Sequence, residues 1–129
     1  MITFNVRSCE EMSCIKDLLE KMRLEIEGQL KERLNSLSGV FLRAYLPQTW
    51  IIETEEEVVT FHVDQDGNAS VNPKRAGIPD VTIRSEHAVV STALKTRDQS
   101  KVPQGKLKVI SHTSKGRVTF SFLRGRLGF

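Results

Sequence analysis

The stretch WIIETEEEVVTFHVDQDGNASVN, residues 50–72, decides the fold. Its apolar residues recur at every second position, the period of a strand with one buried face. Trp50 and Ile52 share one side, with Ile51 and Glu53 on the other. Val59, Phe61 and Val63 then oppose Thr60, His62 and Asp64. The acidic run Glu55, Glu56, Glu57 between the two segments suits an exposed turn. Asp66-Gly67-Asn68 is a hairpin signal, because Asp-Gly takes the positive φ angles of a tight turn at low cost. A third strand follows over Ala69 to Asn72 and ends at Pro73, which lacks a backbone donor.

Downstream the same period returns. Val81 and Ile83 point one way and Thr82 and Arg84 the other, predicting a fourth strand. Ser85 occupies an N-cap position ahead of Glu86 to Thr96, a helix expected to place Val89, Ala93 and Leu94 on its inner side. Asp98 to Gln104 reads as a polar loop. Leu107 and Val109 alternate with Lys106 and Lys108, so the next strand buries one row and shows its charges to water. The tail is open between two readings: Val118, Phe120 and Phe122 alternate like a strand, while Val118, Phe122, Leu123 and Leu127 suit a helix.

Upstream, Pro47 bars a helix from running through Tyr45 to Trp50. Met12, Ile15, Leu19, Met22, Ile26, Leu30, Leu34 and Leu37 recur at three- and four-residue steps among Glu, Lys and Arg, which predicts a long amphipathic helix or two. Ser8 and Glu11 match a capping box, placing the helix start near Cys9. Ile2, Phe4 and Val6 carry the period of a further strand. The whole is an α+β pattern: short strands with one apolar face, covered by helices.

A chain of 129 residues is expected to form one domain, and 39% hydrophobic against 27% charged residues is a globular balance. Without a basic leader followed by an apolar run, no secretory signal is read, and no stretch approaches the roughly 20 apolar residues of a membrane helix. A soluble protein is expected. Cys9 and Cys14, five apart beside a helix start, have no nearby ligand partners and are expected to be free thiols, favouring a reducing, cytoplasmic setting. The net charge of +3 is unevenly spread. From Lys95 onward nine basic residues stand against Asp98 alone, so the first 94 residues carry −5. Such asymmetry suits an anionic partner, or the protein's own acidic half.

Chemistry leaves few marks. His62, His87 and His112 are scattered, no phosphate-binding glycine loop is present, and sequence places neither cysteine beside a histidine. The Asp64 loop superficially resembles a calcium loop, but its twelfth position holds Arg75 in place of glutamate. No catalytic constellation, metal site or cofactor is expected.

The ordered motifs resemble the sterol carrier protein-2 domain family. The matching run comprises the Trp50 strand, the Asp66-Gly67-Asn68 hairpin, Asp80-Val81-Thr82-Ile83 leading through Ser85 into a helix, and Gln104-Gly105-Lys106-Leu107-Lys108-Val109, the sharpest of the set. It covers roughly residues 37–127 of a single expected domain. The resemblance implies a five-stranded, mainly antiparallel sheet with helices on one face, a helical tail, and non-catalytic binding or carriage of a fatty acyl or sterol-like ligand. Carried over by position, it implies a pocket wall of Phe61, Val63, Val81, Ile83, Leu107 and Val109, with Val89, Ala93, Phe122 and Leu123 from covering helices and Gln104 at the mouth. Transient contact with an anionic membrane and a homodimer through the N-terminal helix are further expectations. The alternative is a protein-interaction or nucleic-acid-binding module that uses the basic last third.

Overall fold

The computed structural model describes residues 14–34 and 43–129. A helix, α1 (Ile15–Leu34), is followed by strands β1 (Gln48–Glu53), β2 (Val58–Val63), β3 (Ala69–Asn72) and β4 (Val81–Arg84). Helix α2 (His87–Thr96), a short 3-10 turn at Gln99–Lys101, strand β5 (Lys108–Ser111) and helix α3 (Ser114–Leu127) follow among the described residues. The five strands form one sheet in the order β3-β2-β1-β4-β5. Only the central β1–β4 pairing is parallel; the other three are antiparallel. This is the five-stranded, mainly antiparallel α+β arrangement expected, with the tail helical.

Register turns the alternating sequence into a continuous apolar face. Phe61 lies opposite Trp50 on one side and Val71 on the other, Trp50 is aligned with Val81, and Ile52 with both Val59 and Ile83. Val109 extends the row opposite Ile83. The helices cover it. Ile15, Leu19 and Met22 of α1, Val90, Ala93 and Leu94 of α2, and Phe120 and Leu127 of α3 are buried in the same cluster as the sheet residues. Ile15, Leu19 and Met22 of the α1 stripe therefore pack within the chain, and the expected dimer through this helix finds no support. Leu34 aside, the stripe positions beyond it, together with the Ser8–Glu11 capping box and the Ile2–Val6 strand, lie outside the described residues.

The acidic turn between β1 and β2 has a role that composition did not suggest. Glu57 Oε1 accepts a 2.6 Å bond from the Ile15 N–H and its Oε2 a longer one from Lys16, satisfying the start of α1. Glu55 Oε1 accepts from the His87 N–H at 2.7 Å, satisfying the start of α2. Carboxylates at helix N-termini answer both the orphan donors and the positive end of the helix dipole. Thr54 Oγ1, accepting from the N–H groups of Glu56 and Glu57, shapes the turn that aims them.

This arrangement corrects the expected start of α2. The N-cap is Glu86, whose own side chain makes no capping bond, while Ser85 donates its hydroxyl to the Lys106 carbonyl and ties β4 to the approach of β5. The inner face of the helix is shifted accordingly: Val90 is fully buried and Val89 only half-buried. A second correction concerns the cysteines. Cys14 is disulfide-bonded. It stands immediately before α1, off the helix, so the objection that two cysteines on one helix point apart does not apply to it. Cys9 lies outside the described residues, and the thiol-based case for a reducing compartment is withdrawn.

The tail becomes helical through two local features. Thr113 caps α3, its Oγ1 accepting from the Gly116 N–H at 3.0 Å while donating to Asp80 Oδ1 at 2.8 Å. At the far end Gly128 adopts the left-handed conformation (φ 85°) of a helix C-cap, lying against Ala93 and Arg97 of α2. Helix α3 thus starts beside β4 and ends beside the last turn of α2.

Candidate functional site: an apolar cavity between sheet and helices

A cavity of about 730 Å³ opens between α1, α3 and the apolar face of the sheet. Leu19, Met22, Ile26 and Leu30 form one wall from a single stripe of α1, as their three- and four-residue spacing requires. Trp50 and Ile52 of β1 with Phe61 and Val63 of β2 form the floor, since alternate residues of paired strands share a face. Leu46 enters just ahead of β1, and Leu123 and Leu127 of α3 supply the opposite wall.

Polar groups are few: the Thr119 hydroxyl is buried with no hydrogen-bond partner, while Gln48 is fully engaged. Gln48, buried at 3% exposure, donates from Nε2 to the Tyr45 carbonyl at 2.7 Å and accepts at Oε1 from the Trp50 indole N–H at 2.9 Å. The indole is thereby fixed with its ring on the cavity floor. Charged side chains sit at the rim: Arg33, and Glu25 paired with Arg97 at 2.9 Å, the latter two 49% and 39% exposed. Phe122, three-quarters exposed, forms part of the lip.

A second, more open hollow of similar volume lies toward β5, lined by Val102, Gln104, Leu107, Val109, Phe120, Arg124 and Phe129 among others. An aromatic wall stands between the two. Trp50, on the floor of the first, meets Phe120, on the wall of the second, at 5.5 Å between centroids and 47°. Phe129 stacks on Phe120 from the far side at 6.5 Å, and the Arg124 guanidinium lies 5.5 Å from the Phe120 centroid.

The residues expected to line one pocket are divided by this geometry. Phe61, Val63, Phe122 and Leu123 line the larger cavity. Gln104, Leu107 and Val109 line the second hollow instead. Val81, Ile83 and Ala93, each at 0% exposure, belong to the packed core and line neither, and Val89 also lines neither. Val81 and Ile83 of β4 are buried in one cluster with Val90, Ala93 and Leu94 of α2, so this part of the sheet is filled, and the larger cavity is left over β1 and β2. The α1 wall was legible as a stripe but indistinguishable from core, and Trp50 and Ile52 belong to the same alternating row as Phe61. Nothing in the sequence marked Arg97.

The histidines are not gathered into a site. His62 Nδ1 and His112 Nε2 each hydrogen-bond a threonine on the adjacent strand, Thr49 at 2.9 Å and Thr82 at 2.8 Å. His87 is buried beside the acidic turn, its Nδ1 3.5 Å from Glu56 and 3.6 Å from Glu57. Among the described residues no cluster of His, Cys, Asp and Glu could hold a metal ion, and no helix is long and apolar enough to cross a membrane.

No family model matches the chain, and no curated protein matches it. Solved structures are similar to it, two of them as follows. One is described as a UbiJ-SCP2 ubiquinone synthesis protein, with 19% identity, 83% of this chain and 94% of that chain covered, and a TM-score of 0.49. The other is sterol carrier protein 2 like 2 from Aedes aegypti, with 20% identity, 80% and 97% covered, and a TM-score of 0.41.

Proposed function

We propose that this protein binds and carries an elongated apolar ligand, fatty acyl or sterol-like, in the cavity between α1, α3 and the sheet. The observation that carries the reading is the space itself: about 730 Å³ walled mostly by Leu, Ile, Met, Val, Phe and Trp, more enclosed than the hollow toward β5. That volume falls within the roughly 300–1,000 Å³ of small-molecule sites. Each CH₂ removed from water contributes about 0.8 kcal/mol, so a dozen methylenes offset the cost of ordering the ligand. With Gln48 bonded to Tyr45 and Trp50, the Thr119 hydroxyl is the one buried lining group among the described residues left without a hydrogen-bond partner, so the interior asks few hydrogen bonds of its occupant.

The reading is one of binding, without a chemical step. Exposed basic residues of the last third, Lys101, Lys108 and Arg117 among them, would favour transient contact with an anionic membrane at about 1 kcal/mol each. The nucleic-acid alternative gains nothing, because base stacking needs exposed aromatics among the cations. Phe120 and Phe129 are buried, which leaves Phe122 of the three.

Extraction of the natively purified protein followed by mass spectrometry, with thermal shifts on adding acyl chains and sterols, tests the proposal. A co-purifying lipid or a concentration-dependent rise in Tm is expected. Protein that carries no lipid and is shifted by no apolar ligand overturns it.

A further inference from the structure

Arg97 is the one described non-glycine residue with positive φ, at φ 52° and ψ 35°. It occupies the C-cap of α2, its N–H donating to the Ala93 carbonyl at 2.7 Å. Helices that end in this left-handed conformation favour glycine, and asparagine next, because a Cβ is crowded there. An arginine held in that conformation incurs a backbone cost that glycine would avoid, and such outliers cluster where the side chain is needed. Its guanidinium reaches the rim of the apolar cavity, where Nη1 engages the Glu25 carboxylate of α1 at 2.9 and 3.2 Å.

Tying α1 to α2 does not account for this choice. Both side chains are well exposed, and solvent-exposed ion pairs contribute little to stability. What the pair does show is that the Arg97 guanidinium binds a carboxylate at the mouth of an otherwise apolar space. On the reading of the cavity as a ligand site, the geometry points to Arg97 as the headgroup-recognising residue: the ligand is an amphiphile whose hydrocarbon fills the cavity and whose anionic head, carboxylate or phosphate, takes the place of Glu25 on the guanidinium. Glu25 then turns into solvent, which its exposure already allows. The planar guanidinium suits such oxyanions, and among the described lining residues the cations, Arg33 and Arg97, both stand at the rim, which directs the charge there rather than to the interior.

The experiment compares laurate with lauryl alcohol, which share a tail and differ in charge, by calorimetry or by competition with a fluorescent acyl probe. It uses the full chain as wild type, Arg97→Gly and Glu25→Gln, with inorganic phosphate as a tail-less anion. Wild type is expected to bind laurate more tightly than the alcohol and to show no measurable response to phosphate. Arg97→Gly relieves the left-handed backbone, so its Tm should hold or rise while laurate affinity falls on the order of tenfold or more, with the alcohol unaffected. Glu25→Gln, lacking the internal competitor, should bind laurate more tightly than wild type. Arg97→Asn, equally suited to the backbone, repeats the loss should the glycine variant fold poorly.

If wild type binds neither amphiphile, the cavity reading fails and this inference with it. Binding of both by wild type with no selective loss in Arg97→Gly or Arg97→Asn overturns the role of Arg97 alone. A response to phosphate equal to that to laurate overturns the requirement for a tail.

Discussion

Gly116, in the first turn of α3, passes directly against the main chain of Asp80: a Cβ at that position would fall 2.9 Å from the Asp80 carbonyl carbon and closer still to its oxygen. Asp80 cannot give way. Its carboxylate accepts from the Thr49 N–H at 2.9 Å and the Thr113 hydroxyl at 2.8 Å, its N–H donates to the Thr49 carbonyl at 2.7 Å, and its carbonyl accepts from the His112 N–H at 2.8 Å. Gly116→Ala is therefore expected to cost about 1–3 kcal/mol, the range of overpacking in a site that cannot relax. A urea melt checks this, and an unchanged midpoint refutes it.

The acidic turn makes a graded prediction. Glu57 caps α1 as an acceptor and as a negative charge at a helix N-terminus. Glu57→Gln keeps an acceptor oxygen and removes the charge, which should cost about 0.3–1 kcal/mol; Glu57→Ala removes both and should cost about 0.5–2 kcal/mol. Thermal melts should rank wild type above Gln and Gln above Ala. A different order would mean that the carboxylate is not what satisfies the Ile15 N–H.

Acid sensitivity has a local source at the hairpin. Hydrogen bonds from the Asn68 backbone N–H, then from its side chain, and from the Asp66 N–H, hold the Asp64 carboxyl below its ordinary value of 3.8. A depressed folded-state pKa means that stabilisation is fully present above 3.8 and is lost as pH falls through the lower folded value. Asp64→Asn should flatten the acid limb of a Tm-against-pH curve below about pH 4 and leave its shape near neutrality unchanged. An acid limb identical to wild type would show that the hairpin opens before Asp64 protonates.

Cavity wall and packed core should respond differently to substitution. Ile83→Ala, at a fully buried position on β4, should cost about 2–5 kcal/mol through the void it leaves. Leu123→Trp, on the cavity wall, has space to enter, so the protein should fold with little change in Tm while the thermal shift produced by an acyl ligand shrinks. Retention of the full ligand response in Leu123→Trp would place the ligand elsewhere.

Much of the architecture was legible because it depends on local rules. Period-two alternation in residues 50–72 and 81–84, the Asp66-Gly67-Asn68 turn, whose Gly67 has φ 86°, and the α1 stripe each follow from backbone geometry and the burial of one face. The ordered motifs carried the five-stranded arrangement with them. What sequence could not decide were matters of approach between distant segments. The tail, balanced between strand and helix, is helical because Asp80, 33 residues away, engages its Thr113 cap and because only Gly116 lets α3 start against β4. Helix α2 begins after Ser85 because Glu55, from another turn, supplies the acceptor at its start. Alternation names the residues that face inward, but whether they meet a filled core or open space depends on which helix lies above them. So Val81 and Ile83 are packed in the core with Val90 and Ala93 of α2, while Phe61 and Val63 of the same apolar face border the cavity, and Arg97 reaches its rim from the left-handed end of a helix.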